Sequence, residues 1–216
     1  LLITGGAGAI GPAVRWATRS PLLELRAIEF ALRDEEDLAH NVQRVLTALD
    51  ASQAESEEDL SDVATYVELP HWDGDAPAYG WLRALDEVAA GDLQVKLRVG
   101  GVTADAFPGP DAVATAIDAV LDRELPFRCT GGLHHALTHT DPETGIAHLG
   151  FLNLLIGTRA CLDGADAVAA LREPAAYALL DGMDEAALGR TRSWFTGFST
   201  RDVLEPHHDL VELGLL

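Results

Sequence analysis

Apolar and polar positions along the first 130 residues form blocks that predict strands and helices in alternation. Short apolar runs predict five strands, at 1–4, 25–32, 65–69, 93–99 and 127–130. Between these runs apolar residues recur at helical spacing, as Leu38, Val42, Val45 and Leu49 do, and predict helices. Strand–helix alternation is typical of parallel α/β folds. We therefore expect a (β/α) TIM-type barrel, which is partial if its first strands precede Leu1.

The pattern changes after Gly132. A histidine-bearing loop is expected over 133–148, followed by a strongly apolar helix over 149–162. The remaining residues predict short helices and two further strands, one near Tyr177 and one near Trp194.

The whole chain is interpreted as one α/β barrel-like domain covering residues 1–216. Within it, the acidic and polar segment 51–62 predicts a mobile surface loop. Residues 163–216 are interpreted as a helical extension. Asp34 stands just before the second helix and is expected to cap it.

Charge and cysteine content restrict the partners and the compartment. The net charge of −20 argues against a nucleic acid and against an anionic membrane surface, since both are negatively charged. A small anionic molecule is still compatible if a few cations converge in one cleft. Cys129 and Cys161 have no metal-type spacing, and no apolar run is long enough for a membrane span. We expect a cytoplasmic protein without a cofactor; its oligomeric state is not predicted.

Three predicted strands end in a pair of glycines: Gly5-Gly6, Gly100-Gly101 and Gly131-Gly132. A glycine pair at the carboxyl end of a strand lets the backbone approach a ligand, often a phosphate. In parallel folds ligands bind at that end of the sheet. Tight strand-to-helix turns also favour glycine, so each pair alone has a purely structural explanation.

The first glycine pair resembles the nucleotide loop of extended short-chain dehydrogenases, which reads T-G-G-x-G-x-x-G. Thr4 to Gly11 follow that pattern, so a Rossmann-type dinucleotide-binding protein is one alternative. The catalytic Tyr-x-x-x-Lys pair of that family is absent, because Asp92 stands four residues before the only lysine, Lys96. The barrel is therefore the favoured interpretation.

Lys96 lies inside the apolar strand 93–99, on the same predicted face as Arg98. Lysine is expensive to bury unless it is paired or neutralised. Burial and a nearby guanidinium both favour the neutral amine that a Schiff-base nucleophile requires. A salt bridge to Glu68 or Glu29, without chemistry, is the structural alternative. We expect Lys96 and Arg98 to share one pocket with Arg128 and at least one of these glutamates.

Two strands resemble those of class I deoxyribose-phosphate aldolases, which read V-K-T-S-T-G and V-K-A-S-G-G. The matching segments are 95–100 and 127–132, and both reproduce the spacing between the cation and the glycine. The resemblance implies a lyase that forms an imine at Lys96, with Arg128 as a second cation and Glu29 as the acid/base group. Glu68 is a further candidate for proton transfer.

The chain as a whole resembles a mostly actinobacterial protein family with no assigned activity. The family pattern K-L-R-T-G-G, then G-L-H-H, then a closing G-L-L is similar to segments 96–101, 132–135 and 214–216. This resemblance implies no particular reaction.

Four of the eight histidines lie between 134 and 148. Clustered imidazoles indicate substrate binding or general acid/base chemistry, a structural or solvent-facing role, or a metal site. His134 and His135 directly follow a glycine pair and are the candidates for substrate binding. With Arg98, Arg128 and the two glycine pairs 100–101 and 131–132, they complete the predicted site. The alternatives to an imine-forming lyase on a small anionic carbonyl compound are a metal-dependent barrel enzyme using 134–148 and a non-catalytic ligand-binding barrel.

Overall fold

Parallel strands alternate with helices, as the sequence pattern predicted. The described strands are β1 (Leu2–Ile3), β2 (Ala27–Ala31), β3 (Ala64–Glu68), β4 (Gln94–Arg98), β5 (Phe127–Thr130), β6 (His139–Thr140), β7 (Ala147–His148) and β8 (Phe195–Ser199). The described helices are α1 (Ile10–Thr18), α2 (Leu38–Glu55), α3 (Tyr79–Ala90), α4 (Pro110–Leu121), α5 (Phe151–Asp163), α6 (Ala167–Arg172), α7 (Ala176–Leu180), α8 (Glu185–Thr191) and α9 (Leu204–Glu212). All five strands predicted before residue 132 are therefore confirmed.

The main sheet has six strands in the order β1-β2-β3-β4-β5-β8, and β6 and β7 form a separate antiparallel pair. The first four strands pair in parallel and in chain order, and β5 pairs in parallel with β8. A dinucleotide-binding sheet reverses its strand order beside its first strand. Here β1 is an edge strand of the described sheet and the order runs on without reversal, which argues against the Rossmann alternative.

This computed structural model describes residues 1–33, 37–56, 59–72 and 76–216. They divide into two compact units, the first comprising 1–96 with 123–125 and the second 97–122 with 126–216. The division falls inside β4, between Lys96 and Leu97, and each unit is described by itself. The single-domain organisation stays a prediction.

In the first unit the core lies between the strands and helices α2 and α3. The central positions Val67 and Val95 are fully buried, as are Val42 of α2 and Leu85 of α3. Because apolar residues on one helical stripe must be covered, the sheet and the two helices stabilise one another.

Helix α2 is longer than the sequence pattern suggested. It extends to Glu55, so residues 51–55 of the predicted acidic loop are helical. Ser52 is buried in this last part, where its hydroxyl donates to the Ala48 carbonyl oxygen at 2.7 Å. The N-cap is Asp37, whose side chain accepts from the His40 amide. The predicted cap Asp34 lies outside the described residues.

In the second unit α5 is the central helix. Phe151, Leu152 and Ile156 of α5 form a buried cluster with Ala136 and Leu179. Leu179 belongs to α7, so the strand predicted near Tyr177 is wrong. The strand predicted near Trp194 is confirmed as β8, which means that 163–216 is not purely helical.

Asn153 is the buried polar residue that ties α5 to its surroundings. It is fully buried, and its side-chain oxygen accepts from the Thr138 amide at 2.8 Å. Its side-chain nitrogen donates to the carbonyl oxygens of Ala170 and Glu173, at 2.9 and 2.7 Å. One side-chain amide thus provides hydrogen-bond partners for three backbone groups. This stabilises the fold, since backbone groups that lose contact with water and have no partner are costly.

Within the described residues, none of the helices combines the length and the apolar character needed to cross a membrane.

Candidate functional site

A buried ion triad in the first unit brings together Lys96, Glu29 and Glu68. Lys96 is 4% exposed, and its Nζ lies 2.9 Å from Oε2 of Glu29 and 3.2 Å from Oε2 of Glu68. The strand register explains the arrangement. Lys96 and Glu68 are direct neighbours on β4 and β3, and Glu29 lies one strand further, on β2. The alternation of side chains places all three on one face of the sheet.

The triad carries one positive and two negative charges when all three groups are ionised. Charges this buried persist only when opposite charges and hydrogen bonds compensate them. Lys96 therefore lies with both glutamates, while the predicted pocket that it would share with Arg98 and Arg128 stays a prediction. The same two ion pairs also fit the structural alternative, in which Lys96 is salt-bridged to the glutamates and has no chemical role.

A cleft of about 310 Å³ opens in the second unit where three strands end. Arg98 ends β4, Thr130 ends β5 and Ser199 ends β8, and all three line the cleft. Thr130 and Ser199 are paired in the register of β5 and β8. The Val99 amide donates to the Thr130 carbonyl oxygen at 2.8 Å. The carboxyl ends of parallel strands thus form the cleft, as they do for ligand sites in α/β folds generally.

The walls of the cleft are mostly polar and in part cationic. Besides the three strand ends, the lining residues are Gly101, Val102, Phe107, Gly131, Gly132, His134, His148, Thr200 and Arg201. Arg98 and Arg201 supply guanidinium groups, and none of the described lining residues is acidic. In a chain with a net charge of −20, this is a local concentration of positive charge.

Glycines at the strand ends let the backbones of β4 and β5 touch. Gly131 has φ of +89°, and a Cβ there would lie 2.1 Å from the Gly100 carbonyl oxygen. Gly132 follows with φ of +69°, and a Cβ at that position would meet the Phe107 ring. A side chain at Gly131 is excluded on both counts, since L-residues avoid this backbone region and the space is occupied. The glycine pairs at β4 and β5 therefore have a structural cause, and Gly101, Gly131 and Gly132 also line the cleft.

Two histidines of the cleft have different surroundings. Nδ1 of His134 lies 3.5 Å from Oε2 of Glu205 and 3.3 Å from Oγ1 of Thr200. His148 packs its ring on Phe107, with ring centroids 4.5 Å apart. Burial lowers the pKa of His148 below its ordinary value. A hydrogen bond to the Gly132 backbone raises this pKa but offsets the effect of burial only in part.

His135 lies outside the cleft. Its Nδ1 is 3.2 Å from Oδ2 of Asp209, and the same oxygen accepts from the Ala136 amide at 2.7 Å. His135 also makes an edge contact with His139, which belongs to β6 rather than to a helix. Across the described chain, no group of three or more His, Cys, Asp or Glu side chains is placed to hold a metal ion. The metal-dependent alternative thus gains no support from the histidine segment.

The predicted substrate-binding residues separate into two sets. Arg98, Gly101, Gly131, Gly132 and His134 line the cleft of the second unit. Three further candidates, Gly100, Arg128 and His135, are not among its described lining residues.

Arg128 lies two residues before Thr130 on the same face of β5, and its guanidinium approaches Gly197 of β8. Arg98 lines this cleft and Arg128 is not among its described lining residues, so the expectation that the two arginines share one pocket stays a prediction.

Sequence reasoning missed the contribution of the end of β8 and of the two residues that follow it. Ser199, Thr200 and Arg201 supply two hydroxyls and a guanidinium to the cleft. The signal was available, because hydroxyl residues and an arginine directly follow a predicted strand. Their relevance depends on β8 pairing with β5, which no local pattern indicates.

Comparison with models of protein families, with curated proteins and with solved structures finds no match for this chain. The resemblances to an actinobacterial family and to class I aldolases therefore stay predictions.

Proposed function

We propose that this protein binds a small anionic molecule in the cleft at the carboxyl ends of β4, β5 and β8. The observation that carries the proposal is the lining of that cleft: two arginines and no acidic residue among the described lining positions, in a strongly acidic chain. The sequential order of parallel strands also supports a partial (β/α) barrel, in which such a cleft is the usual ligand site.

The donors of the cleft suit an oxyanion. Arg98 and Arg201 present planar guanidinium groups, which bind phosphate or carboxylate through paired hydrogen bonds. The hydroxyls of Thr130, Ser199 and Thr200 add short neutral donors. The volume of about 310 Å³ leaves room for an organic portion beside the anionic group.

Calorimetric titration with inorganic phosphate and with sulfate, at constant ionic strength, tests this function. We expect Arg201→Gln and Arg98→Gln each to weaken binding about 10- to 100-fold, since a hydrogen bond to a charged group contributes roughly 1.5–3 kcal/mol. Arg190→Gln is the matched control, because Arg190 is exposed on α8 and its loss changes the net charge equally. Equal weakening in all three variants would mean that only the overall charge matters, and the proposal would be abandoned.

A second candidate function is imine formation at Lys96, favoured by the two carboxylates within 3.2 Å of its Nζ. In this reaction the amine nitrogen adds to a carbonyl carbon, and the carbonyl oxygen leaves as water. One carboxylate accepts the proton released by the ammonium group, and a protonated carboxyl supplies the proton that the departing oxygen needs. The amine would have to leave both ion pairs to react, so the same geometry also supports a purely structural triad.

Borohydride reduction in the presence of glycolaldehyde, pyruvate or dihydroxyacetone phosphate, read by intact mass, tests the second candidate. The Lys96→Arg variant is the matched control. It keeps the positive charge at position 96 and the α-amino group of the chain, but its guanidinium group cannot form an imine. A mass gain confined to the parent protein and mapped to Lys96 would support imine chemistry. Identical spectra for the two proteins would eliminate this candidate and leave the anion-binding proposal intact.

A further inference from the structure

His148 is an ionisable residue of the cleft that packs among other rings. It ends β7, where it pairs with His139 of β6, and the two rings are 5.2 Å apart. Its other face packs on the Phe107 ring. One ring N–H donates to the Gly132 backbone, so the second ring nitrogen carries a free lone pair.

Burial against these rings lowers the pKa of His148, and the nearby His139 and His134 act in the same direction. Asp141 acts in the opposite direction, as does the Gly132 hydrogen bond. His148 is therefore a neutral imidazole at neutral pH while the cleft is empty. Arg98 and Arg201 line the same cleft.

We propose that the cleft takes up its anion together with a proton, and that His148 is the group that accepts this proton. The inference rests on the proposed anion-binding function and adds its regulation by pH. A divalent anion seated beside the ring adds negative charge to that of Asp141 and so favours the imidazolium.

His134 is the neighbouring alternative, and its environment differs. It already has Glu205 at 3.5 Å and the Thr200 hydroxyl at 3.3 Å. A carboxylate partner is thus present whether or not the cleft is occupied, so the anion changes the charge balance less at His134 than at His148. No comparable contact to a carboxylate is found for His148 among the described residues, apart from the electrostatic influence of Asp141.

The direction of the pH dependence follows from linkage. Because the bound anion raises the pKa of His148 from its depressed value, affinity is highest at low pH. It decreases as pH rises through the pKa that His148 has in the complex. Each unit by which the anion raises that pKa corresponds to about a tenfold gain in affinity. The full tenfold gain for a rise of one unit is reached only well below the pKa that His148 has in the empty cleft, so we expect the cleft to bind a dianion severalfold more tightly at pH 5.5 than at pH 8.

Sulfate is the appropriate probe, since it remains a dianion throughout this pH range and any pH effect must come from the protein. Titration calorimetry at pH 6.5 in two buffers of different ionisation enthalpy measures the protons taken up per sulfate bound. We expect a fraction of one proton for the parent protein and close to none for His148→Gln, whose side-chain amide keeps a donor for the Gly132 backbone. The control is His207→Gln, because His207 is exposed on α9.

The outcomes separate the two proposals. Sulfate binding with equal proton uptake in the parent and in His148→Gln, or with none in either, overturns the role of His148 and leaves anion binding standing. No sulfate binding by the parent protein overturns both. If His148→Gln does not fold, proton NMR of the parent gives the answer directly. The His148 ring signal must titrate at higher pH with sulfate than without it, and an unchanged titration refutes the inference.

Discussion

Replacing Lys96 with methionine tests whether the buried triad is held together by charge. The substitution keeps an unbranched chain of similar length and leaves Glu29 and Glu68 as two buried carboxylates without their shared cation. At 2.9 and 3.2 Å, each ion pair contributes about 5 kcal/mol of Coulomb energy at an effective dielectric constant near 20. Desolvation of several kcal/mol per ion offsets most of this, but the removal of one partner leaves that cost uncompensated.

We therefore expect Lys96→Met to lower the free energy of unfolding by about 3–5 kcal/mol. With a denaturant slope near 2.5 kcal/mol per molar, the urea midpoint shifts down by roughly 1–2 M. Tryptophan fluorescence is a suitable signal, because Trp72 and Trp81 lie 4.9 Å apart in the same unit and Trp81 is buried.

Two comparisons make the test decisive. The triple variant Lys96→Met, Glu29→Gln, Glu68→Gln also removes the two negative charges and should recover at least half of the lost stability. Arg15→Met breaks an ion pair with Glu55 that is largely exposed, so it should cost less than about 1 kcal/mol. If Lys96→Met is as stable as the parent protein, or no less stable than Arg15→Met, the triad is not a charge-stabilised element and the reasoning fails.

Three further predictions concern the second unit. Gly131→Ala should destabilise the protein by several kcal/mol and abolish sulfate binding. Gly145→Ala is the control, because Gly145 has φ of +70° but open space around it, and it should cost only about 1 kcal/mol. Equal melting temperatures of the two variants would contradict this prediction. Asn153→Ala removes three hydrogen bonds to backbone groups and should cost about 3 kcal/mol by urea unfolding, and a cost below 1 kcal/mol would be inconsistent with the hydrogen bonds described. Burial and Asp118 raise the pKa of Cys161 to about 12, so alkylation by iodoacetamide at pH 8 should be slow in the folded protein and fast in urea. Rapid modification of Cys161 in the folded protein would show that the thiol is accessible and ionised.

The strands were predictable because their apolar runs are short, continuous and bounded by glycines. Lys96 stood out in its strand because a charge among buried neighbours requires compensation, and that requirement also indicated Glu29 and Glu68. Alternation along a strand gives the face of each side chain, so local pattern and elementary electrostatics were enough for the triad.

Other features depend on packing that local patterns do not contain. Residues 51–55 resemble a loop in sequence because they lack large apolar residues. They are helical because alanine favours helix and the Ser52 hydroxyl donates to a backbone carbonyl of the preceding turn. Tyr177 suggested a strand, but the burial of Leu179 against α5 stabilises a short helix there. To predict the cleft, one would have to know that β5 pairs with β8, and these strands are separated by more than 60 residues in the sequence.

The contact between Gly100 and Gly131 bears on how the cleft could be re-engineered. At this contact main chain meets main chain, so there is no side chain to exchange, and a side chain added at Gly131 collides with the Gly100 carbonyl group. The residues after β8 are different, because Thr200 and Arg201 reach the cleft from a connection outside the strands and helices. A library intended to change the ligand should therefore hold the glycines constant and vary 199–201. If the proposed anion binding holds, such a library keeps the backbone contact of β4 and β5 and changes the side chains available to the rest of the ligand.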